Sequence, residues 1–221
     1  MNVLITAGST VAPIDQVRVI SNIFKGRTGT AIAEYFIGRG AKVTLLTSNP
    51  GLVGFQSENL NVVRFDTFDS LKEKMATALT SGNKFDTLIH SAAISDYKTA
   101  GVYIDGRNGL VSINNATKIS SDHKELFLKL VQTEKLVDLV RTEWRFRGDL
   151  VKFKLQVGIT DNELLQIARK SREDSDADFI VANCLEWASQ YAYIVDRAGQ
   201  ALRVSRRKLP EAIYGHTGDL S

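Results

Sequence analysis

Short β-branched runs alternate with amphipathic stretches along this chain, and that alternation leaves few architectures open. Runs at 2–6, 42–47, 61–65, 86–90, 126–131, 149–155 and 178–182 have the length and the Val, Ile, Thr and Phe content of strands. Between them, 29–38, 69–80, 134–144 and 161–172 carry apolar residues at helical spacing. Thr160 stands where a helix cap is needed, and Glu163 is placed to complete a capping box. The pattern predicts a largely parallel sheet with helices on both faces. Near the C-terminus, 191–195 and 200–204 flank Asp196-Arg197-Ala198-Gly199 and read as an antiparallel hairpin that extends the sheet.

The expected fold is therefore α/β, a Rossmann-like three-layer arrangement. With 221 residues and 43% apolar content, the whole of 1–221 is expected to form a single domain. Lys and Arg total 28 against 25 Asp and Glu, a balance too even for a nucleic-acid-binding surface. Cys184 is the single cysteine, which excludes an internal disulfide and a thiolate metal cluster. The first strand-like run, Asn2-Val3-Leu4-Ile5-Thr6, lacks the basic and long apolar segments of a secretion signal, and no run is long enough to span a membrane. A cytoplasmic protein without membrane or nucleic-acid partners is expected.

Two stretches break the alternation, and open α/β sheets place their ligands where such breaks follow strand carboxyl ends. One is the connection from Ala7 to Thr28. The other runs from Ser95 to Ser121 and reads as a flap with a turn at Asp105-Gly106-Arg107-Asn108-Gly109. The first connection has Gly8 alone after the strand, not the Gly-x-Gly-x-x-Gly of dinucleotide sites, although Gly26 and Gly29 near the helix start offer amides to an anion. The second strand ends Leu46-Thr47-Ser48-Asn49, without the acidic residue that holds an NAD ribose. Arg18 and Asn22 sit among the apolar anchors Val17, Val19 and Ile20. Their donors and acceptors suit either a bound carboxylate or ordinary loop-fixing hydrogen bonds.

Four ordered segments carry a resemblance. Leu4 to Thr10 followed by Ile14-Asp15-Gln16-Val17-Arg18-Val19-Ile20-Ser21-Asn22 resembles the opening of the phosphopantothenoylcysteine synthetases. His90-Ser91-Ala92-Ala93-Ile94-Ser95-Asp96-Tyr97 is similar to that family's Ala-Ala-Val-x-Asp-Tyr segment, and Lys118-Ile119 to the start of its lysine motif. Leu150 to Phe153 and Asp178 to Asn183 resemble two later strands, so the likeness spans roughly 2–205. The resemblance implies a ligase of the stand-alone bacterial form. Such a ligase joins 4′-phosphopantothenate to cysteine in coenzyme A synthesis, through an acyl-nucleotide intermediate. CTP, or ATP, would be the co-substrate with Mg2+, and no flavin is expected.

The resemblance also implies residue roles. Asn22 would hydrogen-bond the activated acyl oxygen, and Arg18 would clamp a carboxylate or phosphate oxygen, with a structural salt bridge as the competing role. Lys118 would bring charge to the triphosphate. Gly8, His90, Ser91, Ala92, Asp96, Phe153 and Lys170 would form the nucleotide site. Asp96 would face ribose hydroxyls or Mg2+, and Phe153 either the base or the core. Subunits would pair as a homodimer, with the flap over 95–121 reaching a neighbour's ligand.

The chain also departs from the family's pattern. Asn22-Ile23-Phe24-Lys25-Gly26 replaces a serine-rich segment, and Ser120-Ser121 replaces further lysines. The ending from Tyr214 to Ser221 lacks the look of a closing helix, which predicts that His216 lies in an exposed tail. Two other functions compete with the ligase. One is a nicotinamide oxidoreductase, opposed by the adjacency of Tyr97 and Lys98, which keeps them off one helical face. The other is a nucleotide-binding protein that has lost its chemistry.

Overall fold

A computed structural model describes residues 1–82, 84–107, 109–114 and 117–218. Strand β1 (Asn2–Ala7) leads into a short hairpin, β2 (Val11–Pro13) and β3 (Val19–Ser21), and then into helix α1 (Arg27–Gly38). Next come β4 (Lys42–Thr47), β5 (Leu60–Arg64), α2 (Phe68–Thr80) and β6 (Thr87–His90). An antiparallel excursion, β7 (Tyr97–Gly106), β8 (Gly109–Ser112) and β9 (Phe127–Gln132), precedes α3 (Leu136–Thr142). The remaining elements are β10 (Asp149–Gln156), α4 (Asp161–Asp174), β11 (Phe179–Cys184), β12 (Tyr191–Val195), β13 (Ala201–Ser205) and α5 (Leu209–Gly218).

Eight strands form the main sheet in the order β13-β12-β11-β10-β6-β1-β4-β5. Pairing is parallel from β5 to β11, and β12 and β13 add antiparallel at one edge. Successive side chains of a strand point to opposite faces, so Val3 and Ile5 go one way and Leu4 the other. On one side, Ile32 and Phe36 of α1 with Leu209 and Ile213 of α5 pack on Val3, Ile5, Ile89 and Val181. On the other, Leu71 and Met75 of α2 with Leu136 and Val140 of α3 cover Leu4, Leu88 and Leu150, while α4 sets Leu164 and Ala168 against Ile180 and Ala182. Burial on both faces explains why the central strands read as continuous apolar runs. This is the Rossmann-like three-layer α/β fold that the alternation predicts.

Several details differ from the sequence expectation. The run at 126–131 is a strand, but β9 pairs with β7 in a separate three-stranded antiparallel sheet rather than joining the parallel one. Its residues are exposed or half-buried throughout, so it lacks the two covered faces that a parallel strand needs. The connection from Ala7 to Thr28 holds the β2–β3 hairpin, and α1 starts at Arg27, two residues before the expected Gly29. The stretch from Ser95 to Ser121 is built largely as the β7–β8 hairpin; Asn108 of its expected turn lies outside the described residues. His216 is not in a tail: α5 carries it half-buried, its ring 5.1 Å from that of Phe179. The last part of that expected tail, 219–221, lies outside the described residues.

The capping box is present as the spacing predicts, with Thr160 Oγ1 accepting from the Glu163 amide and the Glu163 carboxylate accepting from the Thr160 amide at 2.8 Å. Phe36, by contrast, is fully buried and sits edge-on to Tyr214 at 5.1 Å. In urea unfolding, Phe36→Ala is expected to cost about 3–5 kcal/mol by leaving a cavity between α1 and α5. Thr160→Ala is expected to cost only about 1 kcal/mol by loss of the cap. Equal costs would show that the α1–α5 layer is not the packed core described.

Candidate active site at the carboxyl edge

The strand order reverses at β1, which has β4 on one side and β6 on the other. Ligand crevices open at the carboxyl ends of strands at such a point. Beyond β1 and β6 the chain continues side by side: Ala93 donates its amide to Gly8 O at 2.8 Å, and Thr10 donates to Ala93 O at 3.3 Å. Thr6 locks this seam from below. Its hydroxyl oxygen accepts from the Ala92 amide at 3.2 Å and lies 2.9 Å from His90 Nδ1. Burial, reinforced by the Lys152 charge, pulls the His90 pKa down to about 4, so the ring is neutral at pH 7.

The β2–β3 hairpin delivers Asn22 to the seam, where Nδ2 donates to Ala93 O at 3.1 Å. The hairpin's tip is organised by Asp15, whose side chain is fully enclosed. Its carboxylate accepts from the Val17 and Arg18 amides at 2.9 and 2.7 Å, from Arg18 Nη2 and Nε at 2.5 and 3.0 Å, and from the Ile119 amide at 3.1 Å. The Arg18 guanidinium, followed by the Ile119 amide, holds this carboxyl far below the usual range. Arg18 also donates to Ile119 O at 2.8 Å. Arg18 therefore occupies the structural salt bridge of its two candidate roles, tying the hairpin to the segment that carries Lys118. Lys118 itself is exposed, and among the described residues its ammonium has no ion-pair partner.

Helix α1 starts beside this seam. Gly26, its N-cap, is left-handed at φ 91°, gives no side-chain cap, and sits so close to β1 that a Cβ would stand 2.5 Å from Gly8 N. Gly8 also has φ +91°, and a Cβ there would strike Ser48 Oγ at 2.1 Å. A side chain at either position would close the approach between the seam and the first helical turn. That turn contains no acidic residue and its N-cap gives no side-chain acceptor, so the positive end of the helix is not neutralised from within it.

A cavity of about 190 Å3 opens on the opposite face of the sheet, lined by His90, Ala92, Asp96, Lys152 and Phe153 together with the start of α3. A larger hollow of about 410 Å3 lies at the amino ends of the strands, beside Lys42, Glu58 and Lys84, away from the seam. Comparison with known proteins decides the family. The model of the DNA/pantothenate metabolism flavoprotein C-terminal domain matches residues 1–205. The chain belongs to this family. The coenzyme A biosynthesis bifunctional protein CoaBC of Thermococcus kodakarensis is 32% identical over 96% of this chain and 49% of its own length. The crystal structure of the DNA/pantothenate metabolism flavoprotein from Streptococcus pneumoniae has a TM-score of 0.84 at 30% identity and covers 97% of each chain. A Cab2 mutant in complex with phosphopantothenate-cysteine shares the fold, with a TM-score of 0.73 at 18% identity over 97% of this chain and 86% of that one. The chain spans about half the length of the curated relatives it matches.

In this member of the family, the structure brings Gly8, Asn22, Ser91 and Ala92 together at the seam, and His90, Ala92, Asp96 and Phe153 around the cavity. Lys170 stands apart, exposed on α4 and paired with Asp174 at 3.2 Å. Tyr97 and Lys98 alternate across β7, and Lys98 lies 3.9 Å from Asp69, so they form no oxidoreductase pair. Sequence reasoning missed Lys152. It is buried on β10 beside His90, and its ammonium donates to Ser171 O and Ser175 Oγ at 2.9 Å each. Burial brings its pKa down to about 8. The available signal was a lysine flanked by the apolar residues Leu150, Val151 and Phe153 in a central strand.

His90 gives a test with a definite sign. Its native pKa, about 4, lies below the ordinary 6.5, so an unfolded chain takes up a proton that the native chain refuses as pH falls between them. Stability from this group is complete above pH 6.5 and is lost toward pH 4. Urea unfolding at pH 7 and pH 4.5 should show His90→Gln losing about 2–3 kcal/mol less than the unmodified protein over that interval. Equal losses would mean that His90 already titrates normally in the fold.

Proposed function

We propose that this chain is a ligase joining 4′-phosphopantothenate to cysteine in coenzyme A synthesis. The observation that carries the reading is the meeting of Asn22, the Gly8–Ala93 seam and the uncapped start of α1 at one strand switch point. Membership of the family and the coenzyme A biosynthesis relatives support it. In the first step the substrate carboxylate attacks the α-phosphorus of CTP, the bond to the β-phosphate breaks, and pyrophosphate leaves. Cysteine's amine then attacks the acyl carbon, expels the nucleoside monophosphate and loses a proton.

In this reading the open amides of α1 and the approach at Gly8 receive phosphate oxygens. Lys118 adds charge as pyrophosphate departs. Asn22 is half-buried; one hydrogen of its Nδ2 is taken by Ala93 O, and the other donates to the activated acyl oxygen and orients that group for the cysteine amine. Ser91 and Ala92 hold the chain close to the ligand, and His90 and Phe153 form the wall of the cavity. Asp96 is exposed and its carboxylate has no hydrogen bond among the described residues, which leaves it free for ribose hydroxyls. No cluster of three or more metal-ligating side chains occurs among the described residues, which suits Mg2+ carried on the triphosphate, with Asp96 available to it. Arg18 acts as a positioning residue through Asp15 and Ile119. CTP is placed before ATP on the resemblance alone, and a cytoplasmic location follows from the proposed pathway.

A homodimer belongs to the same proposal. Tyr97, Leu110, Val111, Phe127 and Leu130 expose apolar surface on the two faces of the β7–β9 sheet, an outlying element suited to a second copy. Sedimentation is expected to give a dimer; a monomer with full activity would remove this part.

Asn22→Asp puts a negative charge beside a phosphate-linked electrophile. Pyrophosphate release and amide formation, followed with CTP and with ATP, are expected to fall by about 100-fold or more, with nucleotide binding retained. A folded Asn22→Asp variant that forms phosphopantothenoylcysteine at the unmodified rate would end the assignment.

A further inference from the structure

Strand β13 runs antiparallel to β12, and β12 antiparallel to β11, so β13 ends at the same edge as the carboxyl ends of β1, β6 and β10. Arg206 follows directly, its amide fixed on Gln190 O at 2.8 Å. Its Nη2 donates to Thr28 Oγ1 in the first turn of α1. Its Nη1 is enclosed and has no hydrogen-bond partner among the described residues. No ion pair to Arg206 occurs among those residues either, while the adjoining helix turn has no acidic residue and no side-chain cap. A guanidinium stays charged even when burial lowers its pKa, as it does here. A positive group is thus packed against the positive end of a helix dipole, an arrangement that is unfavourable until an anion lies between them.

We propose that Arg206 is a phosphate-binding residue of the nucleotide subsite, with Nη1 donating to a phosphoryl oxygen that the first-turn amides of α1 also hold. The identity of the phosphate carrier rests on the ligase reading; the anion site rests on the orphaned donor, the uncapped turn and the close approach at Gly26. Phe24 and Lys25 stand where hydroxyl donors are missing, and Arg206, held in place by Nη2 on Thr28, supplies a charged donor through Nη1 in their place.

The test uses the full chain, Arg206→Gln and Arg206→Lys, with folding checked by circular dichroism. Calorimetric titration with CTP, ATP and inorganic tripolyphosphate is expected to show at least about tenfold weaker binding in Arg206→Gln. Arg206→Lys should be intermediate, because it keeps the charge and loses the fork. In steady state, the nucleotide KM should rise by a similar factor while the 4′-phosphopantothenate KM stays within about twofold. If Arg206→Gln does not fold, Arg206→Lys decides alone, and a weakening of less than about twofold there counts against the proposal. Unchanged nucleotide and tripolyphosphate affinity in folded variants, an effect on the phosphopantothenate KM alone, or no binding of these anions by the unmodified protein overturns it. Arg206-dependent tripolyphosphate binding without phosphopantothenoylcysteine formation would uphold the anion site and refute the ligase reading.

Discussion

The seam between the chain segments leaving β1 and β6 is the constraint on which the rest of this protein depends. Parallel pairing brings the two strands out side by side, and the Ala93-to-Gly8 hydrogen bond extends that pairing one step beyond the sheet. Backbone groups that would otherwise face an open crevice are thereby satisfied, and the crevice keeps a fixed width. Register is held here, because a one-residue shift would turn Thr6 and His90 toward the face covered by α1 and α5 and break the Thr6 bonds to His90 and Ala92.

The hairpin above the seam follows the same economy of contacts. Asp15 is a buried carboxylate at a turn, and it accepts from its own loop and from Ile119, more than 100 residues away in sequence. One side chain thus joins the β2–β3 tip to the segment between β8 and β9. The motif that contains Arg18 is therefore a folding device as much as a binding one: the guanidinium is spent on Asp15 and Ile119 O. Asn22, four residues further along, inherits its position from that arrangement.

Local pattern made the fold class, the C-terminal hairpin and the Thr160 cap legible, because each is written in adjacent residues. Partner choice was not. Phe127 to Gln132 has the composition of any strand, and only its exposed flanks distinguish an antiparallel outlying sheet from the parallel core. His216 was misread because α5 takes its stability from packing on Phe36 and Phe179 rather than from caps or periodicity. Of the site, Gly8, Asn22 and Ala92 were visible through ordered motifs. Lys152 and Arg206 were not, since their importance lies in burial, which depends on β10 meeting β6 and on β13 ending beside α1.

Those two cations show why burial alone does not define a ligand site. Both lose solvent at the carboxyl edge, and in both burial lowers the pKa. The Lys152 ammonium is met by Ser171 O and Ser175 Oγ near the C-terminal end of α4, where carbonyls without helical partners carry negative partial charge. Its placement is compensated inside the fold. Arg206 lies at the other kind of helix end, where free amides carry the same sign as the guanidinium, and one of its donors stays unpaired. The fold solves the first problem by itself and leaves the second to an anion, so the unpaired donor and like-signed helix end that cost stability are the same groups that would give that edge its affinity for phosphate.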